Sequence, residues 1–508
     1  MILKKAVSAL VLLTLSTSAF AATKTEVQSP AEFWVPSIQD NWAEAAVVPT
    51  ATATAKRKVA SSQSFSESDL SADFKKLRTE WLKVQTADEL EALLKKSYAQ
   101  YDSFSDDTKY FLTQAHVALP LRGIVWRLRP LFEKGDKFIG NKASHVTAVQ
   151  ILRSVAGAID MALPTDQAKA GFAYFTEPST EMTSASQFKS VGEFQNFLGT
   201  ELMKKLVEST KRVEAILAKN SDKVFVWDNK MFFGTGAFRD DIKRYSGHGA
   251  AEMHLAASAF YKSTHSILVF CAYNQDQILD VSKKLGAHLG QDSLSVLGKE
   301  KEDLGLTDQE RVGVIKEFTN KNFLSLRDTA ANPYGSQAMK QAYKALGNYV
   351  FHAKAAYDIL QGKEANPAMA LNPIHFSQES QDQLEKGISN MVAVVKGQTE
   401  VRDPVTGKSV TLNLPAFYNN PPKNLSVLMA NKFEDGQNEK SIKAKNGETL
   451  KVRNYYKGRS IGWNNDAWKN YVPSAAGQSS NYMAEARRIM RYSRGTSLVM
   501  NLPALFVR

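Results

Sequence analysis

Apolar residues crowd every side of one stretch, Ser246 to Gly290, where Met253, Leu255, Phe260, Ile267, Leu268, Phe270 and Cys271 fall into no single stripe at helical spacing. A helix apolar all round must be covered all round, so the pattern predicts a long buried central helix. His254, Lys262 and His265 interrupt it, and its longest apolar run, Ile267 to Tyr273, falls far short of the ~18 residues a bilayer span needs.

The region around this spine, Asp69 to Gly397, repeats apolar positions at helical spacing and predicts eight to twelve helices. Thr86 to Glu89, Ser190 to Glu193 and Thr307 to Glu310 each match the capping box, in which a hydroxyl takes a free first-turn amide and a carboxylate returns to another. Gly362 and Gly397 mark helix ends, and Pro120 and Pro130 predict a kink or stop between Thr108 and Phe132. The run Arg122 to Arg129 reads as a helix packing Val125, Trp126 and Leu128. One β interruption is expected over Val224 to Phe233, turning at Asp228-Asn229.

After Gly397 the period changes from helical to alternating. Residues 397–417 predict a hairpin around Asp403-Pro404 and Gly407. Residues 441–456 predict a second, because two alternating runs flank Asn446-Gly447, the pair best suited to a type I′ turn. A helix is expected from Ser480 to Arg494. The fold class that follows is mainly α: a multi-helix body around a long buried central helix, with a smaller β-hairpin-containing C-terminal region, α+β when taken together.

The ends of the chain add a destination. Lys4 and Lys5, the apolar run Ala6 to Leu15 and the small-x-small triplet Ala19-Phe20-Ala21 form the pattern of a cleavable signal peptide, residues 1–21. Periplasmic or secreted localisation is expected, and the mature chain is expected to carry no transmembrane segment. Residues 22–66, with their Thr-Ala repeat and serine-rich run, read as a linker or docking arm that presents Trp34 and Trp42. The helical body is then 67–397 and the C-terminal region 398–508.

Losing Lys4 and Lys5 lowers the formal charge from +12 to +10. A basic excess favours anionic partners; beyond the cytoplasm these are cell-wall polymers or envelope proteins, and nucleic acid is not expected. Cys271 is the only cysteine, so an internal disulfide is excluded, and its apolar setting predicts an inert buried thiol.

Two surfaces could carry chemistry. Near the start of the spine, His248 and Glu252 are four apart and on a helix would share a face, able to reach one ion or one water, with Asp240 or Asp241 as a third group. These are the weak catalytic candidates of an envelope hydrolase; no resident metal or cofactor is expected. The second surface lies on the Asn446-Gly447 hairpin, where the two-residue period sets Ile442, Ala444, Leu450 and Val452 on one face and Lys443, Lys445, Lys451 and Arg453 on the other. On the last helix Arg487, Arg491 and Arg494 share a face. Together they favour a non-catalytic binding or scaffolding protein of the envelope, with the hydrolase as the alternative.

Overall fold

The computed structural model describes residues 64–136, 166–233, 244–275, 324–360, 368–370, 378–402, 406–428, 430–435, 439–443, 449–453, 459–463 and 465–478, together with positions 482, 483, 486 and 489. The chain is mainly helical with small antiparallel strand pairs, an α+β fold in which helices dominate.

Helices α1 (Ala72–Trp81), α2 (Ala87–Ala99) and α3 (Asp106–His116) open it. The capping box predicted at α2 is present: Thr86 Oγ1 accepts the Glu89 amide at 3.2 Å and Glu89 Oε2 accepts the Thr86 amide at 3.2 Å. Pro120 sits in a 3₁₀ turn, Leu119–Leu121, just past α3, but Pro130 lies inside α4 (Ile124–Asp136) and does not stop it. Proline lacks the N–H that the carbonyl four residues back would receive. That carbonyl, on Trp126, takes Gln187 Nε2 at 3.1 Å instead, and the helix continues. α4 packs Ile124, Leu128 and Leu131 into the core, with Val125 partly buried against it.

Next come α5 (Asp166–Thr176), α6 (Val191–Phe197), a π turn over Leu198–Leu202, and α7 (Met203–Lys219). Ser190 caps α6 by accepting the Glu193 amide, while Glu193 returns to the Lys189 amide, one residue earlier than the box predicts. The third box, at Thr307, lies outside the described residues.

The hairpin expected over 224–233 forms differently. Strand β1 (Phe225–Asp228) pairs with β2 (Tyr245–His248), while Lys230–Phe233 is a helical turn, α8. Asp228 is the cause. Buried, with Oδ2 facing Arg78 and Arg244, it accepts the Lys230 amide at 3.0 Å through Oδ1, so the turn closes into a helix.

The spine is α9, Ala250–Ala272. It starts later than the apolar pattern suggests, because Ser246–His248 belong to β2, and it stops earlier, at Ala272, where Tyr273 turns extended and bridges to Leu326; residues 276–290 lie outside the described ones. Apolar coverage on several sides holds: Met253 and Ala257 enter a core shared with α1, α2 and α3, while Leu255, Leu268 and Cys271 enter a larger core with α4, α6 and α10. Burying each Leu-sized side chain contributes about 1.5–3 kcal/mol. The end of the spine is held by two side chains. Gln195 Nε2 donates to the carbonyls of Phe270 at 2.6 Å and Tyr273 at 2.8 Å, and Arg327 Nη1 donates to that of Cys271 at 3.3 Å.

Among the described helices α10 (Tyr334–Leu360) makes the most extensive pair with α9, burying Ala338, Ala342, Ala345, Ala353 and Ala356 alongside the larger Tyr343, Tyr349 and Tyr357. Gly362, expected to close it, is outside the described residues. α11 (Gln378–Lys396) ends as expected before Gly397, which has no left-handed φ because β3 begins at the next residue.

The C-terminal region opens with the predicted hairpin, β3 (Gln398–Arg402) against β4 (Ser409–Asn413), with Gly407 at φ 71° near the turn. A short helix, α12 (Leu414–Asn419), returns Tyr418 to the main core. Then β5 (Ala430–Asp435) pairs with β8 (Arg459–Trp463), and β6 (Glu439–Lys443) with β7 (Thr449–Arg453), the nested order of a two-stranded ribbon. A helical turn, α13 (Asn465–Trp468), follows. Of the helix expected from Ser480, the described positions Tyr482, Met483, Ala486 and Ile489 are helical; the last three are buried in a small third core with Val401, Val410 and Val472. Among the described residues no helix is long and apolar enough to cross a membrane.

Candidate functional site

The structure does not set His248 and Glu252 on one helical face. His248 is on strand β2, opposite Phe225, with its ring 3.9 Å from the Trp227 ring centroid and Nε2 3.4 Å from Ser246 Oγ. Glu252 turns back to cap the spine, its Oε2 accepting the Gly249 amide at 2.9 Å. The shared face required the helix to begin before His248, and the β1–β2 pairing takes those residues first. Asp240 and Asp241 lie outside the described residues.

On the ribbon, the β6–β7 register sets Lys443 opposite Thr449, Ser441 opposite Lys451 and Glu439 opposite Arg453. Partners across an antiparallel pair share a face, and the face alternates along the strand. Positions 443, 451 and 453 therefore fall on one face, with Glu439 among them, and Ile442, Leu450 and Val452 on the other, with Lys440. Ala444, Lys445, Arg487, Arg491 and Arg494 lie outside the described residues, as do Asn446 and Gly447.

Sequence reasoning missed the polar chain inside the helical body. Glu214 on α7, His352 on α10 and His254 on α9 are linked: His352 Nε2 lies 3.2 Å from Glu214 Oε1, and its Nδ1 lies 2.9 Å from Nδ1 of His254. Tyr261, seven residues after His254 on α9, donates to the same Glu214 oxygen at 2.8 Å, and its ring stacks on His352 at 5.6 Å. Burial, then the neighbouring His352, hold the His254 imidazole down to about 3. The signal available in the sequence was His254 and Tyr261 two turns apart on one helical face; the partners on α7 and α10 are set by tertiary packing.

His116, buried on α3, shows why proximity alone is not a catalytic site. His116 lies 3.3 Å from Ser209 Oγ through Nδ1 and 3.6 Å from Glu208 through Nε2, the residue types of a serine-hydrolase triad. Lys205 Nζ, at 3.1 Å, donates to that Nε2, so the ring's lone pair is already used, and Ser209 is wholly buried. Burial pushes His116 down to about 3 as well. Cys271 is buried as expected, and burial pushes its thiol up to about 12, which leaves it protonated and inert. Among the described residues no group of three or more His, Cys, Asp or Glu side chains is arranged to hold a metal ion.

The chain matches no family model, and searches of curated proteins and of solved structures return no match. Its functional reading rests on its own geometry.

Proposed function

We propose that the protein is a non-catalytic binding or scaffolding component of the cell envelope, exported through residues 1–21, whose basic C-terminal ribbon engages an anionic polymer or an envelope protein. The observation that carries this reading is the β6–β7 register, which gives positions 443, 451 and 453 a common face backed by Ile442, Leu450 and Val452. The basic excess of the whole chain supports it. A solvated lysine face also protects an exposed strand edge, so the reading is tested by charge reversal. Replacing Lys443, Lys445, Lys451 and Arg453 by glutamate is expected to abolish binding to isolated cell-wall material while the helical signal is retained. Unchanged binding would contradict a role for this surface. The hydrolase alternative has lost the shared face it required, since His248 and Glu252 are in separate elements with separate hydrogen bonds.

A further inference from the structure

We propose that the seam between α9 and α10 is an acid-sensitive latch, set by the number of protons that His254 and His352 share. The Nδ1-to-Nδ1 contact of 2.9 Å has room for one hydrogen: one ring donates and the other accepts. With His352 Nε2–H on Glu214, the pair holds together as two neutral rings, or with a single charge balanced by that carboxylate. A further proton sets N–H against N–H and a second positive charge beside the first. The contact must then open.

The surroundings fix how this is resolved. α7 contributes Glu214, whose Oε1 already receives Tyr261 and His352 and whose buried Oε2 has no hydrogen-bond partner among the described residues, so one carboxylate offsets one charge. α9 contributes Tyr261, a neutral donor. α10 contributes His352 and the apolar Phe351 ring, 6.5 Å from His254. A second imidazolium finds no additional anion among these groups. The low titration range of His254, caused first by burial and then by His352, agrees with this geometry. Ser258, one turn along the spine, donates to the Tyr349 carbonyl at 3.2 Å, so opening at the histidines loads the adjoining part of the same seam.

The test compares the intact protein with His254→Gln and His352→Gln. Glutamine can donate to or accept from the remaining imidazole and takes up no proton. Between pH 6 and 4.5 the slope of unfolding free energy against pH counts the protons that the unfolded chain binds in excess. His254→Gln is expected to lower that count by about one. His352→Gln is expected to move the acid midpoint to lower pH, because its carbonyl can accept from a charged His254. An unchanged count in the first variant, or an unchanged midpoint in the second, would overturn the latch. If either variant fails to fold, hydrogen exchange of the intact protein decides. Amides of α9 and α10 near Ser258 and Tyr349 are expected to lose protection at pH 5 relative to pH 7.5 ahead of those in α2, and equal loss in both regions contradicts the proposal.

Discussion

His265 on the spine and Tyr418 on α12 share a hydrogen bond of 2.7 Å, joining residues 153 apart in the chain. Tyr343 of α10 stacks on Tyr418 with ring centroids 5.6 Å apart, and its hydroxyl donates to the Val395 carbonyl of α11. The segment that follows the first C-terminal hairpin is thereby anchored to the helical core. Tyr418→Phe keeps the ring and leaves the half-buried His265 Nε2 without its partner, a loss of about 0.5–1.5 kcal/mol. Urea unfolding followed by circular dichroism would show it as a lower midpoint with an unchanged slope, and an unchanged midpoint would mean that water replaces the hydroxyl.

The end of the spine depends on Gln195. Its amide serves two buried carbonyls, those of Phe270 and Tyr273. Gln195→Leu preserves volume and orphans both, so the expected destabilisation is about 2–4 kcal/mol, from roughly 1–3 kcal/mol for each unsatisfied group with partial relaxation. Thermal unfolding would measure it. A variant as stable as the parent would show that the helix end refolds around the gap.

Gly335 opens α10 against the end of α9. A Cβ there would lie 2.6 Å from the Ala272 carbonyl oxygen and 2.8 Å from the Arg327 amide nitrogen, both backbone atoms that cannot swing aside. Gly335→Ala, ordinarily a helix-favouring change, is expected to cost about 1–3 kcal/mol through overpacking. A raised melting temperature would contradict the close approach.

Acid acts on three histidines together. Burial leads the causes that hold His116 and His254 down to about 3 and His265 to about 4. Above their ordinary value of about 6.5 these rings are neutral in both states and add no pH dependence. Between about 6.5 and 3 the unfolded chain binds protons that the fold refuses, so stability falls as pH falls through that window. Urea midpoints at pH 7.5 and pH 5 would show a clear drop at the lower pH. Equal midpoints would mean that these rings are protonated in the folded state.

The extent to which this fold was legible in the sequence can be traced to particular residues. Signals acting within a few residues held: the Thr86 box, the alternating runs around Asn446-Gly447, and the all-round apolarity of the spine that buries Cys271. Where a distant group competes with a local signal, the local reading failed. Pro130 stays inside α4 because Gln187, far along the chain, takes the freed Trp126 carbonyl. Asp228-Asn229 makes no hairpin because Asp228, held by Arg78 and Arg244, closes a helical turn on the Lys230 amide, and β1 pairs with β2 instead. His248 joined that strand, which dissolved the face it was to share with Glu252. The Glu214–His352–His254 chain needed three helices brought together, and no spacing within one helix encodes that.

The proposed engagement of an anionic envelope polymer by the C-terminal ribbon is tested by co-sedimentation of the purified protein with isolated cell-wall material at low and high salt. The comparison is a folded version carrying glutamate at positions 443, 445, 451 and 453. The intact protein is expected to pellet at low salt and to be released at high salt as screening shortens the reach of its charges, and the charge-reversed version is expected to lose binding. Protein that remains in the supernatant at both salts, or a charge-reversed version that pellets equally well, would contradict that engagement.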